Sequence, residues 1–221
     1  MTPEEYFGDW MSVIDKKLLV DTLSVIKSEY KIHKCFPSTM DLFKAFEYVK
    51  YRELKVVFLG QDPYPQKDVA TGVLFGNKRD SSCISPSLEV IKEAVINPEE
   101  PHGITRFDIT LESWAKQGIL MLNSALSVRM NEPSSHELLW RPFIKSLLMN
   151  ISQQSPEVIF VLFGNIAKTF KPFLNDATIL EEQHPAFYAR TKTRMPNTVF
   201  TQVSTLVKEQ YGEGIKWYTE E

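Results

Sequence analysis

The chain has 221 residues, of which 43% are hydrophobic and 24% charged, and its formal net charge at pH 7 is −3. This length suits one domain of ordinary size, or at most two small ones, with a core that needs no disulfide or metal for stability. The charge excludes a protein that is basic throughout, so any binding of nucleic acid depends on a local basic face and on backbone N–H groups.

The cysteines and the N-terminal residues indicate a compartment. Cys35 and Cys83 lie far apart and lack the spacing of a zinc site, which indicates a reducing environment. The first residues show neither the basic nor the apolar region of a secretory signal, and no apolar run approaches the roughly 20 residues that span a bilayer. We therefore expect a cytoplasmic protein without a membrane partner, in which residues 1–221 form a single domain.

Helical and extended patterns alternate along the chain. Residues 15–30 and 40–49 carry apolar side chains at helical spacing, and residues 54–59 form an apolar, β-branched run that is typical of a buried strand. A Ser-Pro-Ser sequence with residues suited to a cap and a first turn begins a helix over residues 85–95. The later predicted elements are helices over 108–116, 135–152, 166–173 and 195–211, and strands over 118–122, 157–163 and 178–181.

Apolar strands separated by helices predict an α/β fold, a three-layer α/β/α arrangement around a central, mainly parallel four-stranded sheet. In such sheets ligands bind beyond the carboxyl ends of the strands. Polar residues follow each predicted strand at that edge: Gln61-Asp62, Asn123-Ser124, Gly164-Asn165 and His184-Pro185.

Each candidate has an ordinary alternative. Asp62 is equally consistent with a general base and with a turn residue that bonds its own backbone. Tyr64 and Phe75 are suited to the walls of a pocket for a planar ligand, although aromatic residues near strand ends more often belong to the core. Asn123 is suited to reading a hydrogen-bonding edge or to ending a strand. His184 is a candidate electrostatic partner, but a histidine before proline is more often an ordinary loop residue.

Possible backbone contacts carry the same ambiguity. Arg190, Lys192 and Arg194 form a basic stretch. This stretch is consistent with a solvated loop and with a surface that faces the DNA backbone. Phosphate-holding and ordinary capping roles are both open for Ser85, Ser87, Gly164 and Asn165. No Walker loop, G-x-G-x-x-G, G-x-S-x-G or H-E-x-x-H is present, which argues against the enzyme classes that use those motifs.

The motifs form an ordered set. GQDPY occupies residues 60–64, TGVLF occupies 71–75, SPSL occupies 85–88, QGILMLN occupies 117–123, FGN occupies 163–165 and HP occupies 184–185. In this order and spacing the set resembles the uracil-DNA glycosylases of the family-1 type, from about residue 54 to the C-terminus.

The resemblance implies roles for the candidates. Asp62 corresponds to the acid that activates water, and Tyr64 to the ring that crowds C5 and so excludes the methyl group of thymine. Phe75 corresponds to the stacking platform, Asn123 to the residue that reads the Watson–Crick edge of uracil, and His184 to the donor to uracil O2. The resemblance also implies a contact between the main chain of Gln61 and the base. The implied contacts to the DNA backbone are Ser85, Pro86, Ser87, Gly164 and Asn165, to which the basic stretch adds Arg190.

The sequence departs from the family pattern in the first and last motifs. Pro65 stands where the family usually has a histidine, and Ala186 stands where it usually has a serine that contacts a phosphate. Tyr188 aligns with the leucine that fills the vacated base stack, with Phe187 as the alternative aromatic wedge.

The implied activity is DNA repair by hydrolysis of an N-glycosidic bond. Cleavage builds positive charge on the sugar and negative charge on the leaving base, which suits a carboxylate and a histidine and requires no metal or cofactor. The resemblance implies a monofunctional uracil-DNA glycosylase, without a lyase step, that flips uracil out of single- or double-stranded DNA and leaves an abasic site. We expect a monomer, with a proteinaceous inhibitor of the family as a possible partner.

Two alternatives remain open. Pro65, Ala186 and the acidic net charge are consistent with a DNA-binding or replication-accessory protein on the same fold, with weak or no excision activity. A glycosylase of altered base choice ranks last, because Tyr64 and Asn123 are both present.

Overall fold

The computed structural model describes residues 2–81, 83–96 and 105–220. Its α-helices are α1 (Pro3–Phe7), α2 (Lys16–Ile32), α3 (Lys44–Glu47), α4 (Pro86–Val95), α5 (Glu112–Ala115), α6 (Glu137–Gln154), α7 (Gly164–Lys168), α8 (Pro185–Thr191) and α9 (Thr198–Tyr211). Its strands are β1 (Cys35–Phe36), β2 (Val56–Gly60), β3 (Thr105–Arg106), β4 (Ile119–Asn123), β5 (Val128–Arg129), β6 (Ile159–Phe163), β7 (Thr178–Glu182) and β8 (Thr219–Glu220). Short 3-10 helices cover Gly8–Ser12, Tyr51–Glu53 and Lys171–Phe173.

A parallel four-stranded sheet in the order β4-β2-β6-β7 lies at the centre. Successive side chains of its strands point to opposite faces. Val57 and Leu59 pack in the same cluster as residues of α2, α3 and α6, whereas Val56 and Phe58 pack with residues of α4, α5 and α9. Each fully buried Leu or Phe contributes roughly 1.5–3 kcal/mol to folding. The predicted three-layer α/β/α fold with a parallel sheet is confirmed.

Local chemistry accounts for the ends of several helices. The Leu18 N–H donates to Asp15 Oδ1 at 2.9 Å and so begins α2, close to the predicted residue 15. Helix α9 ends at Gly212, whose φ of 87° is the left-handed conformation that favours glycine. Pro86 is the first residue of α4, as predicted, but the Ser85 hydroxyl bonds to Asn77 instead of capping the helix.

The helices predicted over 40–49 and 108–116 are each reduced to four residues. The helix predicted over 40–49 is reduced to α3, because the Asp41 N–H bonds to Ser38 O and the Ser38 hydroxyl bonds to Asp41 Oδ2, which favours a turn. The helix predicted over 108–116 is reduced to α5. The Asp108 carboxylate accepts from the Thr110 and Ser113 N–H groups, and Leu111 takes a left-handed φ of 58°.

The largest difference lies after His184. The sequence patterns predict no helix between residues 182 and 194, but Pro185–Thr191 form α8, with His184 at its N-cap. Proline is favoured in the first turn of a helix, and that signal was overlooked. The sequence also gave no signal for the antiparallel pairs β1–β5 and β3–β8. Among the described residues, no helix is both long and apolar enough to cross a membrane.

Candidate active site

A cavity of about 320 Å³ opens at the carboxyl edge of the parallel sheet. It arises there because β2 and β4 end in register, with Gly60 opposite Asn123, and the next residues of the chain turn outward. This size is typical of a site for a small planar group. The candidate residues that line the cavity are Gln61, Asp62, Tyr64, Pro65, Phe75, Ser87, Asn123, His184, Ala186 and Arg190.

Asn123 lines this cavity and carries an acceptor without a partner in the described part of the chain. Its side chain is buried, and its Oδ1 has no hydrogen-bond partner among the described residues. A buried acceptor without a donor destabilises a fold by about 1–3 kcal/mol, so the amide oxygen is prepared for a ligand that donates. The neighbouring Gly60 leaves room for this arrangement, because a Cβ there would lie 3.2 Å from Asn123 Oδ1 and 2.2 Å from Leu74 Cδ1.

His184 presents a donor. The Ala186 N–H donates to His184 Nδ1 at 3.2 Å, so Nδ1 is the acceptor and the proton of the neutral ring lies on Nε2. Burial lowers the pKa of His184 to about 4, with a smaller contribution in the same direction from the Arg190 guanidinium. The ring is therefore a neutral N–H donor at neutral pH.

Gly164 allows His184 to approach the sheet closely. Its φ is 84°, and a Cβ at this position would lie 2.8 Å from His184 Cβ. The imidazole also meets the Phe75 ring edge to face, with centroids 5.4 Å apart, and Phe75 meets Phe163 at the same distance. Phe75 has a left-handed φ of 61°, a conformation that a bulky residue rarely adopts. The rings are thus fixed by packing on several sides.

Tyr64 is held at its hydroxyl. The Tyr64 hydroxyl donates to Phe75 O at 3.3 Å, and its oxygen lies 2.6 Å from Ser85 Oγ, which lies 2.9 Å from Asn77 Oδ1. Burial raises the pKa of Tyr64 to about 12, so the phenol remains neutral. The ring forms a rigid wall of the cavity.

Asp62 is held by a residue that is distant in sequence. The Ser134 N–H donates to Asp62 Oδ2 at 2.6 Å, across a separation of 72 residues. Burial raises the pKa of Asp62, and the negative charge of Glu137 acts in the same direction, whereas the Ser134 N–H lowers it. The side-chain amide of Gln61 also donates, through Nε2, to Ser134 Oγ at 2.9 Å. The arrangement offers a carboxylate beside a fixed polar cavity, as hydrolysis of a glycosidic bond requires.

Comparison with known proteins identifies the family. A model of the uracil DNA glycosylase superfamily matches residues 46–207, which is most of the chain. The chain belongs to the uracil DNA glycosylase superfamily. A uracil-DNA glycosylase of Christiangramia forsetii is 33% identical over 217 residues, which cover 94% of this chain and 96% of that protein.

Solved structures of uracil-DNA glycosylases share the fold. The mimivirus uracil-DNA glycosylase superposes with a TM-score of 0.74 at 21% identity, covering 98% of this chain and 93% of that one. A variant of mimivirus UNG in complex with UGI superposes with a TM-score of 0.73 at 21% identity, covering 98% of this chain and 94% of that one. The suspected family membership is confirmed.

Some glycosylase motif residues lie outside the cavity. Phe187 is 41% exposed on α8, whereas the Tyr188 hydroxyl donates to Glu182 Oε1 at 2.8 Å and its ring is partly buried. Asn165 is exposed on α7. The candidates that are not among the residues lining the cavity are Ser85, Pro86, Gly164, Asn165, Phe187 and Tyr188.

A larger groove of about 650 Å³ lies between α4 and α8. Tyr188 lines it, together with Lys192 and Arg194 of the basic stretch. It lacks the strand-end acid, amide and histidine, so we assign the chemistry of this superfamily to the smaller cavity.

Sequence reasoning missed Ser134. It contributes through its backbone N–H, which donates to Asp62, and its φ of 64° is left-handed. A backbone donor in a loop far from the motif has no sequence signal of its own. The adjacent PSSH sequence, which leads into α6, marks only a turn before a helix.

Proposed function

We propose that this chain is a uracil-DNA glycosylase that hydrolyses the bond between uracil and deoxyribose in DNA, releasing uracil and leaving an abasic site. The observation that carries the proposal is the unpaired Asn123 Oδ1 in the same cavity as the neutral His184 ring. Uracil presents an N3–H donor between two carbonyl acceptors. Asn123 Oδ1 accepts from N3–H, the Asn123 amide group donates to O4, and His184 Nε2 donates to O2.

This set of partners discriminates against cytosine. Cytosine has an acceptor at N3 and an amino donor at C4. The acceptor would face Asn123 Oδ1, which also accepts, and the amino group would face Asn123 Nδ2, which also donates. A site that matches buried hydrogen-bonding groups rejects an analogue with the wrong pattern by a large factor, because those groups are left unpaired. Tyr64 supplies the second filter. Its hydroxyl is tethered to the Phe75 carbonyl, so the ring cannot move aside for the methyl group of thymine.

Hydrolysis divides charge between Asp62 and His184. As the bond between N1 and C1′ breaks, the sugar gains positive charge, which the Asp62 carboxylate stabilises. The bond's electron pair leaves with uracil, and the His184 N–H stabilises the resulting anion at O2. Asp62 orients a water molecule, whose oxygen forms the new bond to C1′. The water leaves its hydroxyl group on the sugar, and its remaining proton neutralises the uracil anion.

Binding of the duplex uses groups at the rim. The groups proposed to contact the DNA backbone come from four parts of the chain and from one cation. They are Ser85, Pro86, Ser87, Gly164, Asn165, Pro65, Ala186 and Arg190. Exposure supports Phe187, rather than the tethered Tyr188, as the wedge that replaces the flipped base.

The proposal extends to the oligomeric state, a protein partner and the cellular compartment. The protein is proposed to act as a monomer, since the residues of one chain suffice to form the proposed site. A proteinaceous inhibitor is a plausible partner, since a mimivirus UNG variant of the same fold has been solved with UGI. Both cysteines are free, which supports a reducing, cytoplasmic location with access to DNA.

The test is release of uracil from matched oligonucleotides. Single- and double-stranded substrates with one uracil are incubated with the protein, and free base and alkali-labile strands are measured. The same oligonucleotides with thymine or cytosine serve as controls. We expect release from the uracil substrates only. Binding without release over a wide pH range contradicts the proposal and favours the accessory role.

A further inference from the structure

A cluster of three side chains lies behind the Asp62 loop. Glu29 on α2 accepts from Arg129 Nε at 2.7 Å and lies 3.2 Å from His136 Nε2. Arg129 is on β5 and His136 immediately precedes α6. The His136 side chain is fully buried, and that of Glu29 is 18% exposed. We call Glu29, Arg129 and His136 the anchor.

The direction of the hydrogen bonds in the anchor is fixed by its neighbours. The Trp140 indole can only donate, and it donates to Ser127 Oγ at 2.8 Å. The Glu29 carboxylate can only accept, so His136 Nε2 carries the proton and donates to it. Nδ1 of the neutral ring therefore accepts from the Ser127 hydroxyl, which lies 2.7 Å away. Burial lowers the pKa of His136 against the opposing effect of Glu29, which is consistent with this neutral ring.

The anchor holds both ends of one loop, residues 130–135. Within it, the Arg129 N–H donates to Ser135 Oγ at 2.8 Å, and the Asn131 N–H donates to Pro65 O at 3.0 Å. Asn131 and Ser134 have left-handed φ values of 61° and 64°. A serine in this conformation is strained, and such strain persists only where the surroundings hold it.

The loop reaches the active site through Ser134. Its N–H bond to Asp62 Oδ2 is charge-assisted and short, at 2.6 Å. We propose that Glu29, Arg129 and His136 are positioning residues, which hold residues 130–135 so that the Ser134 N–H fixes the Asp62 carboxylate for attack of water. This inference rests on the proposed role of Asp62 in uracil excision.

The inference has a consequence for pH dependence. Asp62 acts in its ionised form, and the Ser134 N–H favours that form, whereas burial and the facing Glu137 carboxylate oppose it. Loosening the loop weakens the larger of the two backbone hydrogen bonds that favour the ionised form, and so raises the pKa of Asp62 further. The acid limb of the rate profile then moves to higher pH. A purely structural role for the anchor lowers thermal stability without moving this limb.

The test compares Glu29→Gln with the wild type and with Glu47→Gln in the full-length chain. Glu47 is a matched control, because it also accepts from a cation and a second donor, Lys44 and Tyr6, but lies on α3, away from the loop. Single-turnover release of uracil is measured from pH 5 to 9, with substrate affinity and thermal unfolding measured in parallel.

We expect Glu29→Gln to lower the single-turnover rate about tenfold and to move its acid limb to higher pH, because misplaced catalytic groups lose rate steeply. Affinity for DNA stays within about twofold, and Glu47→Gln keeps the wild-type profile. If Glu29→Gln loses stability but keeps the wild-type rate and acid limb, the anchor has no positioning role. Arg129→Lys, which keeps the charge but loses the Nε geometry, answers the same question if Glu29→Gln does not fold. An inactive wild type contradicts the proposed function, whereas an active wild type with an unchanged Glu29→Gln contradicts only the anchor.

Discussion

The two sides of the cavity are built differently. On the base side, Asn123 ends a buried strand, and His184 follows β7 and packs on Gly164 directly after β6. On the water side, Asp62 depends on the N–H of Ser134, which comes from a loop 72 residues away. The residues proposed to recognise the base are therefore placed by the sheet, whereas the Asp62 carboxylate is placed by a tertiary contact. Changes on one side are expected to leave the other largely intact.

Asp62→Asn tests the water side and has the largest expected effect. Asparagine keeps the shape and an oxygen for the Ser134 N–H but removes the charge that stabilises the sugar. We expect the single-turnover rate to fall about 10²–10⁴-fold. Binding of uracil-containing DNA and inhibition by free uracil stay close to wild type, because Asn123 and His184 are unchanged. A parallel loss of affinity for free uracil contradicts the separation of the two sides.

Gly164→Ala tests the base side. The added Cβ lies 2.8 Å from His184 Cβ and the residue keeps a strained φ, so the imidazole must shift. We expect a loss of about 10–100-fold in rate, with weaker inhibition by free uracil. Gly212→Ala is the matched control, because Gly212 has a similar φ of 87° but no atom of the described residues lies within 4 Å of the added Cβ. It should lower the free energy of unfolding by about 1 kcal/mol and leave the rate unchanged.

The same division explains what the sequence could predict. Asp62, Asn123 and His184 follow strands whose apolar patterns are clear, so their meeting at one edge follows from a parallel sheet. The Ser134 contact does not follow, because it depends on a loop conformation and on backbone atoms. The α8 helix does not follow from the sequence pattern, because a histidine before proline favours a loop, although proline is also suited to the first turn of a helix. The orphaned Asn123 oxygen and the Gly164–His184 contact required coordinates.

The neutral state of His184 predicts a pH effect on stability. Its pKa is about 4 in the folded protein and about 6.5 when exposed, so the unfolded chain binds more protons between these values. Stability therefore decreases as pH falls from about 6.5 toward 4, by at most about 1.4 kcal/mol per pH unit. We expect His184→Asn to reduce the decrease between pH 6.5 and pH 5 by about 1.5 kcal/mol, as measured by urea unfolding. An equal decrease in the free energy of unfolding of variant and wild type indicates that the pKa of His184 is the same in the folded and unfolded states. His136, whose pKa is also lowered, contributes equally to both proteins.

Phe187→Ala and Tyr188→Phe test the outer rim, where the smallest effects are expected. Phe187 is exposed and Tyr188 is held by Glu182, so only the first is free to enter a base stack. Truncating Phe187 should slow release from double-stranded DNA by several-fold to about tenfold and from single-stranded DNA by less than twofold, because only the duplex has a stack to fill. Tyr188→Phe keeps the ring and loses one hydrogen bond, so it should cost about 1 kcal/mol of stability and leave both rates unchanged. The ratio of the two rates is the decisive measurement. If Tyr188→Ala, and not Phe187→Ala, lowers the duplex rate selectively, the helix must rearrange on DNA to release Tyr188 from Glu182.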